Sequence, residues 1–381
     1  MSLTEGPRYK DGLSIGIITA PIYEAGNVPL ANLISVLRES NGITLVTGNE
    51  GYDLFRKDPS ISVFGLRFRE GKNVLSRLAR HVILELRVLR LFAKASANVD
   101  LWVFFIGGDS MLVPLLYSRI RGLPVVMAFA GSATLVRRSK NDMLVGLSRL
   151  VSSVACYLSD RLVVYSPSLI KEWQLEGFAS KISIAREHFL DLEKFRPTSS
   201  LAARRKLVGY VGRLSREKGA QDFVDAVHYV LSLDSDAEFV VVGSGELKEM
   251  VREKVRKAGA RDKVSIDDWI PHDQLPELLN RMQLLVIPSY TEGLPNIMIE
   301  AMACGTPVLA YPTGAIPDFV KDGVTGYLMR EHDPRSMSEE IVRALHSPNL
   351  SDVARTSREL VEREFSFAKA AESWKRVLDS I

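Results

Sequence analysis

Two carboxylates and two cations stand at spacings that suit a polyhydroxylated anion. Glu292 and Glu300 belong to Pro288-Ser-Tyr-Thr-Glu-Gly-Leu-Pro-Asn-Ile-Met-Ile-Glu-Ala-Met-Ala-Cys-Gly-Thr-Pro. Pro295 suits a first helical turn, where its missing N–H would be unpaired anyway, and Gly305 suits the left-handed position after a last turn. The spacing predicts a helix over 295–304 behind a strand over 284–288. Its free N–H groups and positive dipole end make an anion site. Two carboxylates beside an anion conflict if both touch phosphate, and agree if each accepts hydrogen bonds from sugar or ribose hydroxyls with the phosphates between them. A solvated loop Glu and a capping carboxylate are the plainer reading of the same pair.

The cations lie in Tyr210-Val-Gly-Arg-Leu-Ser-Arg-Glu-Lys-Gly, which starts as an apolar strand and becomes a turn holding Gly212, Arg213, Lys218 and Gly219. Glycine lets the backbone approach a ligand closely, while Arg and Lys hold a diphosphate as fork and point charge. Alone, such a turn reads as surface charge. Beside the first segment it reads as a diphosphate site.

The elements that must position these groups alternate. Short β-branched runs are expected over 13–19, 43–47, 101–106, 124–130 and 161–165, and again over 207–211, 238–242, 264–266, 284–288, 307–310 and 326–328. Amphipathic segments over 28–40, 74–97, 141–159, 220–232, 246–258, 273–281, 295–303 and 335–344 separate them. This is the βαβ pattern of parallel sheets, run twice. With 381 residues the chain has room for two domains. The expected plan is a Rossmann-like domain over 1–190, a linker over 191–206, a second Rossmann-like domain over 207–355, and helices over 356–381 packing back on the first domain. Facing doubly wound domains put the carboxyl ends of both sheets around a cleft.

Composition narrows the classes. At 46% apolar and 25% charged residues, disorder and disulfide-dense scaffolds are excluded. A net charge of +3 argues against nucleic acid as a partner. The total hides a split, with 23 Lys+Arg against 16 Asp+Glu in residues 1–190, and 26 against 30 in the rest. Cys156 and Cys304 give no disulfide framework and fit a reducing cytosol. No apolar leader opens the chain, and no run reaches the roughly 20 apolar residues of a membrane span.

As a set, Val211-Gly-Arg-Leu-Ser-Arg-Glu-Lys-Gly, Pro288-Ser, Glu292-Gly-Leu-Pro with Glu300, Ala303-Cys-Gly-Thr-Pro-Val and Gly323-Val-Thr-Gly resemble the family 4 retaining glycosyltransferases, which have the GT-B architecture. The resemblance implies that Arg213 and Lys218 hold the donor diphosphate, that Glu292 contacts donor-sugar hydroxyls and that Glu300 binds ribose. It assigns the backbone of Gly293, Leu294, Pro295, Asn296 and Ile297 to the sugar and phosphates. Gly243-Ser-Gly245-Glu and Trp269-Ile270-Pro would bracket the base, and Gly212 and Gly26 would lie near the phosphates. Thr313-Gly-Ala-Ile-Pro-Asp resembles a Gly-Gly-x-Pro-Glu pattern, with Ala315 and Asp318 as departures. In the first half Ala130 stands where many members have His, and His188-Phe189 where Asn-Gly is common. Gly108, Asp109, Gly131 and Ser132 are acceptor-side candidates.

Other signals carry less. Asp234-Ser-Asp resembles the metal motif of a different glycosyltransferase fold but lies at the wrong sheet end, and Asn349-Leu-Ser is a glycosylation pattern without meaning in a cytosolic chain. No zinc spacing occurs. The run from Arg67 to Lys94 holds Arg67, Arg69, Lys72, Arg77, Arg80, Arg87, Arg90 and Lys94 against Glu70 and Glu85, with Arg137-Arg-Ser-Lys as a further basic cluster. Leu75, Leu78, Val82, Leu86, Leu89 and Phe92 give its helix one apolar face. Two readings fit: a core-facing helix with a solvated basic back, or a surface for anionic lipid and a lipid-carried acceptor.

The expected activity is transfer of a hexosyl group from a UDP- or GDP-sugar to an acceptor hydroxyl with retention, without metal or other cofactor. The acceptor would be a sugar, free or lipid-linked, and the setting cytoplasmic or peripheral on the inner face of a membrane. A catalytically silent nucleotide-sugar-binding partner subunit and a nucleotide-sugar epimerase are the alternatives.

Overall fold

The structure is a computed structural model that describes residues 12–381 apart from 40, 70, 72, 133, 136 and 138–141. Glu70 and Lys72 of the basic run, Arg138 and Lys140 of the further basic cluster, Asn141 at the expected start of the 141–159 helix, and the opening residues read for a leader lie outside the described residues. The chain divides into two compact units, one of residues up to Phe189 together with Phe367–Ile381, the other Leu190–Ser366.

The first unit is a parallel sheet flanked by helices. Its elements are β1 (Ser14–Ile22), α1 (Glu24–Leu37), β2 (Gly42–Asn49), α2 (Glu50–Phe55), β3 (Ile61–Leu66), α3 (Val74–Ala95), β4 (Leu101–Phe105), α4 (Leu112–Ile120), β5 (Val125–Ala128), α5 (Val145–Leu158), β6 (Arg161–Val164), α6 (Ser168–Glu172) and β7 (Ile182–Ile184). The strand order is β3-β2-β1-β4-β5-β6-β7, and every pair is parallel. Strands β3 and β7 and helices α2, α4 and α6 were not expected. In β3 the apolar run is broken by Gly65, whose place is filled instead by Tyr52 of α2: a Cβ there would stand 2.0 Å from that ring.

Helix α3 starts on a capping box between Asn73 and Ser76. The expected apolar face is corrected here. Phe92 is buried, but Leu75, Val82 and Leu86 are exposed, and the core-facing stripe is Leu84, Val88, Phe92 and Ala95. Phe92 packs on Trp102 of β4 with ring centroids 4.1 Å apart. The buried carboxylate of Glu85 accepts hydrogen bonds from the N–H groups of Leu112 and Val113, both 3.0 Å, and so caps α4.

The second unit holds β8 (Leu207–Val211), α7 (Ala220–Leu233), β9 (Glu238–Val242), α8 (Lys248–Lys257), β10 (Val264–Asp267), α9 (Leu275–Arg281), β11 (Leu284–Ile287), α10 (Asn296–Ala303), β12 (Val308–Ala310), α11 (Ile316–Phe319), β13 (Tyr327–Leu328), α12 (Pro334–Leu345) and α13 (Leu350–Glu364). The sheet order is β10-β9-β8-β11-β12-β13, again parallel. Residues 190–206 are fastened to this unit. Asn280 Oδ1 accepts from the Thr198 N–H at 2.7 Å, and its Nδ2 donates to the Arg196 carbonyl at 3.0 Å. Buried Arg204 donates to Thr306 Oγ1 and to the carbonyls of Met282 and Cys304. The sequence-based break at 355 falls inside α13, which packs on α10; Arg358 of α13 donates to the carbonyls of Phe195 and Ala303.

The chain re-enters the first unit through the last helix, α14 (Phe367–Leu378), which packs on α1. Trp374 is fully buried in that core, and Arg161 donates to the Ser380 carbonyl at 2.9 Å. Trp374→Ala is expected to cost the first unit about 3–5 kcal/mol, read as a lowered urea midpoint. A shift below ~1 kcal/mol would contradict this docking.

Candidate functional site

In the second unit the chain leaves β8 for β9 and β10 on one side of the sheet, and later lays β11, β12 and β13 on the other. The loops after β8 and β11 therefore diverge at the carboxyl edge, the place where open parallel sheets bind ligands. These are the two loops that carry Arg213, Lys218 and Glu292. They touch: Lys218 Nζ stands 2.7 Å from Glu292 Oε1, and the Tyr290 N–H donates to the Glu217 carbonyl at 2.9 Å. Gly219, at φ 66°, makes the approach possible, since a Cβ there would lie 2.0 Å from the Pro288 carbonyl oxygen.

The neighbouring loop after β9 is equally tight. Gly243 has φ 146°, and a Cβ on it would lie 1.9 Å from the Gly212 carbonyl oxygen; one on Gly245 would lie 2.3 Å from that of Leu214. The Leu214 N–H donates to the Ser244 carbonyl at 2.9 Å, and the Tyr210 hydroxyl to the Arg213 carbonyl at 2.6 Å. These bonds fix the Arg213 backbone while its guanidinium stays largely exposed, 3.5 Å from Glu217. From the other side the Ala315 N–H holds the Gly293 carbonyl at 2.8 Å.

Helix α10 begins at Asn296, one residue later than expected, because Pro295 is extended at ψ 119° and serves as its N-cap. It ends before Gly305, at φ 65°. Leu294 and Pro295 are buried, and Asn296 and Ile297 half-buried. Glu300 is buried, and His272 Nε2 lies 2.7 Å from its Oε1. His272 was missed by the sequence reading; it follows Trp269-Ile270-Pro271, so the segment read as a base-bracketing loop is the one that meets α10. Within this unit the structure thus gathers Gly212, Arg213, Lys218, Gly243, Gly245, Ile270, residues 292–297 and Glu300 on the carboxyl-edge loops and the helix they lead into. The cluster offers an exposed guanidinium, an ammonium paired to a carboxylate, and the positive end of a helix.

A second group was also missed. Tyr290 donates to Asp222 Oδ2 at 2.7 Å and stacks on His332, which lies on Tyr311 at 3.6 Å. Burial pushes the Tyr290 hydroxyl up to about 12, raises the Asp222 carboxyl and lowers the His332 imidazole. The spacing of these residues gave no signal, since they come from four separate segments.

The remaining candidates belong to the first unit. Gly26 lies in the first turn of α1, behind β1. Gly108 and Asp109 form a short turn behind β4, and Asp109 is buried, its carboxyl raised by desolvation. Asp109 and Ser132 line one pocket of about 440 Å³ with Arg149, Glu172 and Trp173, while Gly131 is exposed beside it. Asp109 also lines a second pocket, of about 210 Å³, with Ala20, Pro21, Arg77, His81 and Arg137, behind the ends of β1 and β4. Arg77 and Arg137 share Asp142 there at 2.6 and 3.1 Å, which holds its carboxyl down to about 2. Ala130 is packed against the core. His188 is buried with Glu187, whose Oε1 accepts from the Tyr165 hydroxyl at 2.7 Å. Burial pushes Glu187 up to about 7.

Asp234 binds Lys206 and His346 at the amino end of β9, a structural role. Asn349 precedes α13 and donates to the Gly323 carbonyl. Both thiols are buried and pushed up to about 12.

Residues 191–359 match the family of glycosyl transferases group 1, so the second unit carries such a domain. The alpha-D-kanosaminyltransferase of Streptomyces kanamyceticus is 25% identical over 70% of this chain and 72% of its own length. The 2-deoxystreptamine N-acetyl-D-glucosaminyltransferase of Streptomyces fradiae is 35% identical over 39% of this chain, which spans 36% of that relative's length. Among solved structures, Anabaena HepE in complex with UDP-glucose superposes with a TM-score of 0.74 at 18% identity, over 97% of this chain and all of that one. The fold is that of the GT-B glycosyltransferases.

Gly219→Ala is expected to destabilise the second unit by roughly 1–3 kcal/mol, read by chemical denaturation, because the two loops must separate. Glu187 carries a pH signature. Its folded carboxyl holds a proton up to about 7 while the unfolded one releases it near 4.5. Stability of the first unit should therefore fall as pH rises between those values and level off above them. Glu187→Gln should reduce that slope in unfolding measured from pH 4 to 8; an unaltered slope would exclude Glu187 as a source of it.

Proposed function

We propose that this protein is a retaining glycosyltransferase of the family 4 type, moving a hexosyl group from a UDP- or GDP-sugar to an acceptor hydroxyl. The observation that carries the reading is the Lys218–Glu292 pair across the diverging loops of β8 and β11. A cation and a carboxylate held together at that edge can divide the two ends of a nucleotide-diphosphate sugar between them. In this reading Lys218 and Arg213 take the diphosphate, Glu292 accepts hydrogen bonds from the sugar hydroxyls, and Glu300 accepts those of the ribose. The N-terminal end of α10 faces the negative charge that grows on the leaving group.

The reaction breaks the bond from the sugar's anomeric carbon to the diphosphate and forms one to the acceptor oxygen on the same face. The acceptor's proton ends on a phosphate oxygen of the departing nucleotide. Two fixed cations and a helix terminus carry the leaving-group charge, so the reading needs no metal. Gly26 is assigned to the donor phosphates, and Gly108, Asp109, Gly131 and Ser132 to a sugar acceptor, free or lipid-linked. The match of residues 191–359 to the group 1 family and the UDP-glucose bound by HepE support the donor class.

The test is incubation with a panel of UDP- and GDP-sugars, with and without a membrane extract, reading nucleotide release and sugar transfer. Arg213→Ala and Glu292→Ala are each expected to lower transfer by about 10²-fold or more, with circular dichroism checking that each variant stays folded. Near-normal rates in both variants would overturn the site. Nucleotide binding without release under any condition would indicate a silent partner subunit, and release without transfer an epimerase or hydrolase.

A further inference from the structure

Helices α3, α4 and α5 form one layer of the first unit. α4 packs against both α3 and α5, and right-handed crossovers between successive parallel strands place all three on the same face of the sheet. The outer side of such a layer is ordinarily polar. Here it is not. On α3, Leu75, Val82, Ile83 and Leu86 are 81, 58, 55 and 59% exposed. They recur at helical spacing on the side opposite the buried Leu84, Val88 and Phe92. On α5 a second stripe of Leu147, Leu150, Val154 and Tyr157 is exposed, with Leu150 at 62% and Tyr157 at 73%. Ile120, at the end of α4 between them, is 84% exposed. The two outer helices also approach each other: Leu78 of α3 and Leu147 of α5 line the same 210 Å³ pocket. Single exposed aliphatic residues are common on soluble proteins, whereas stripes on adjacent helices mark an interaction surface.

Charge selects the occupant. Among the described residues of these three helices the sole carboxylate is Glu85, which is buried and spent on capping α4. The cations are Arg77, Arg80, Arg87, Arg90, Lys94, Arg119 and Arg149. Arg77 and Arg119 are paired with acids outside the helices, while Arg87, Arg90 and Lys94 are exposed. Aliphatic stripes among cations, with no exposed carboxylate on the helices, match a phospholipid interface: the side chains enter the acyl boundary, and the guanidinium and ammonium groups meet anionic headgroups. The Tyr157 ring suits the headgroup level. We propose that the outer face of α3, α4 and α5 docks this protein on an anionic bilayer. The proposal is independent of the donor-site reading, since none of these side chains belongs to the second unit.

The test is cosedimentation of the full chain with vesicles of phosphatidylcholine alone and of phosphatidylcholine with phosphatidylglycerol. The expected result is partitioning on anionic vesicles at least about tenfold above neutral ones, weakened at high salt. Val82→Ser/Leu86→Ser should lower it by about tenfold or more, as should Arg87→Gln/Arg90→Gln. Leu150→Ser, on a different helix, should weaken binding as well, and circular dichroism checks that each variant stays folded. Anionic vesicles that pellet no more protein than neutral ones overturn the proposal, as do folded apolar variants that pellet like the parent. A concentration-dependent dimer that Val82→Ser/Leu86→Ser dissolves, without vesicle binding by the parent, assigns the face to a second copy and also overturns it.

Discussion

The second unit depends on a close backbone approach at the carboxyl edge of its sheet. The chain turns back beside β8 when it lays down β11, and the two loops that leave these strands press against each other at Gly219 and Pro288. A side chain at 219 would occupy the Pro288 carbonyl, so the site is closed by an absent Cβ before any charge contributes. The Tyr290–Glu217 backbone bond and the Lys218–Glu292 pair then lock the approach. The β9 loop repeats the device, with Gly243 against Gly212. Backbone held this tightly pays little ordering entropy on ligand binding, which is what preorganised charge requires.

The support behind that edge comes from buried polar groups far apart in sequence. Arg204 satisfies carbonyls at the ends of α9 and α10, and Asn280 ties down residues 196–198. Arg358 reaches the end of α10 from α13. Each guanidinium meets several acceptors, as a buried cation must. The helix whose N-terminal end faces the site is thereby anchored at its other end.

The first unit distributes its charge differently. Several of its acids are held in internal pairs, as Asp142 with two arginines and Asp160 with Arg119, or in capping, as Glu85. The arginines and lysine of α3 that remain at the surface flank apolar stripes. The near-neutral total charge of the chain is thus a sum over two unlike surfaces, one organised for a few placed cations and one for a basic field.

Local chemistry in the sequence determined much. Periodicity located every strand of the second unit to within a residue or two, and Pro295 and Gly305 bounded α10, because strand alternation, turn glycines and helix boundaries depend on neighbours in the chain. The grouping of Arg213, Lys218, Glu292 and Glu300 was readable because each sits in the turn directly behind a strand or the helix that follows it. What the sequence could not determine was which of two apolar stripes α3 would bury, since Leu75–Leu86 and Leu84–Ala95 have the same period. Only packing against Trp102 and β4 chose between them. Nor could it place His272 on Glu300, seat α14 on α1, or gather Tyr290, Asp222, Tyr311 and His332. Those contacts join residues that no local rule relates, and long-range packing alone decides them.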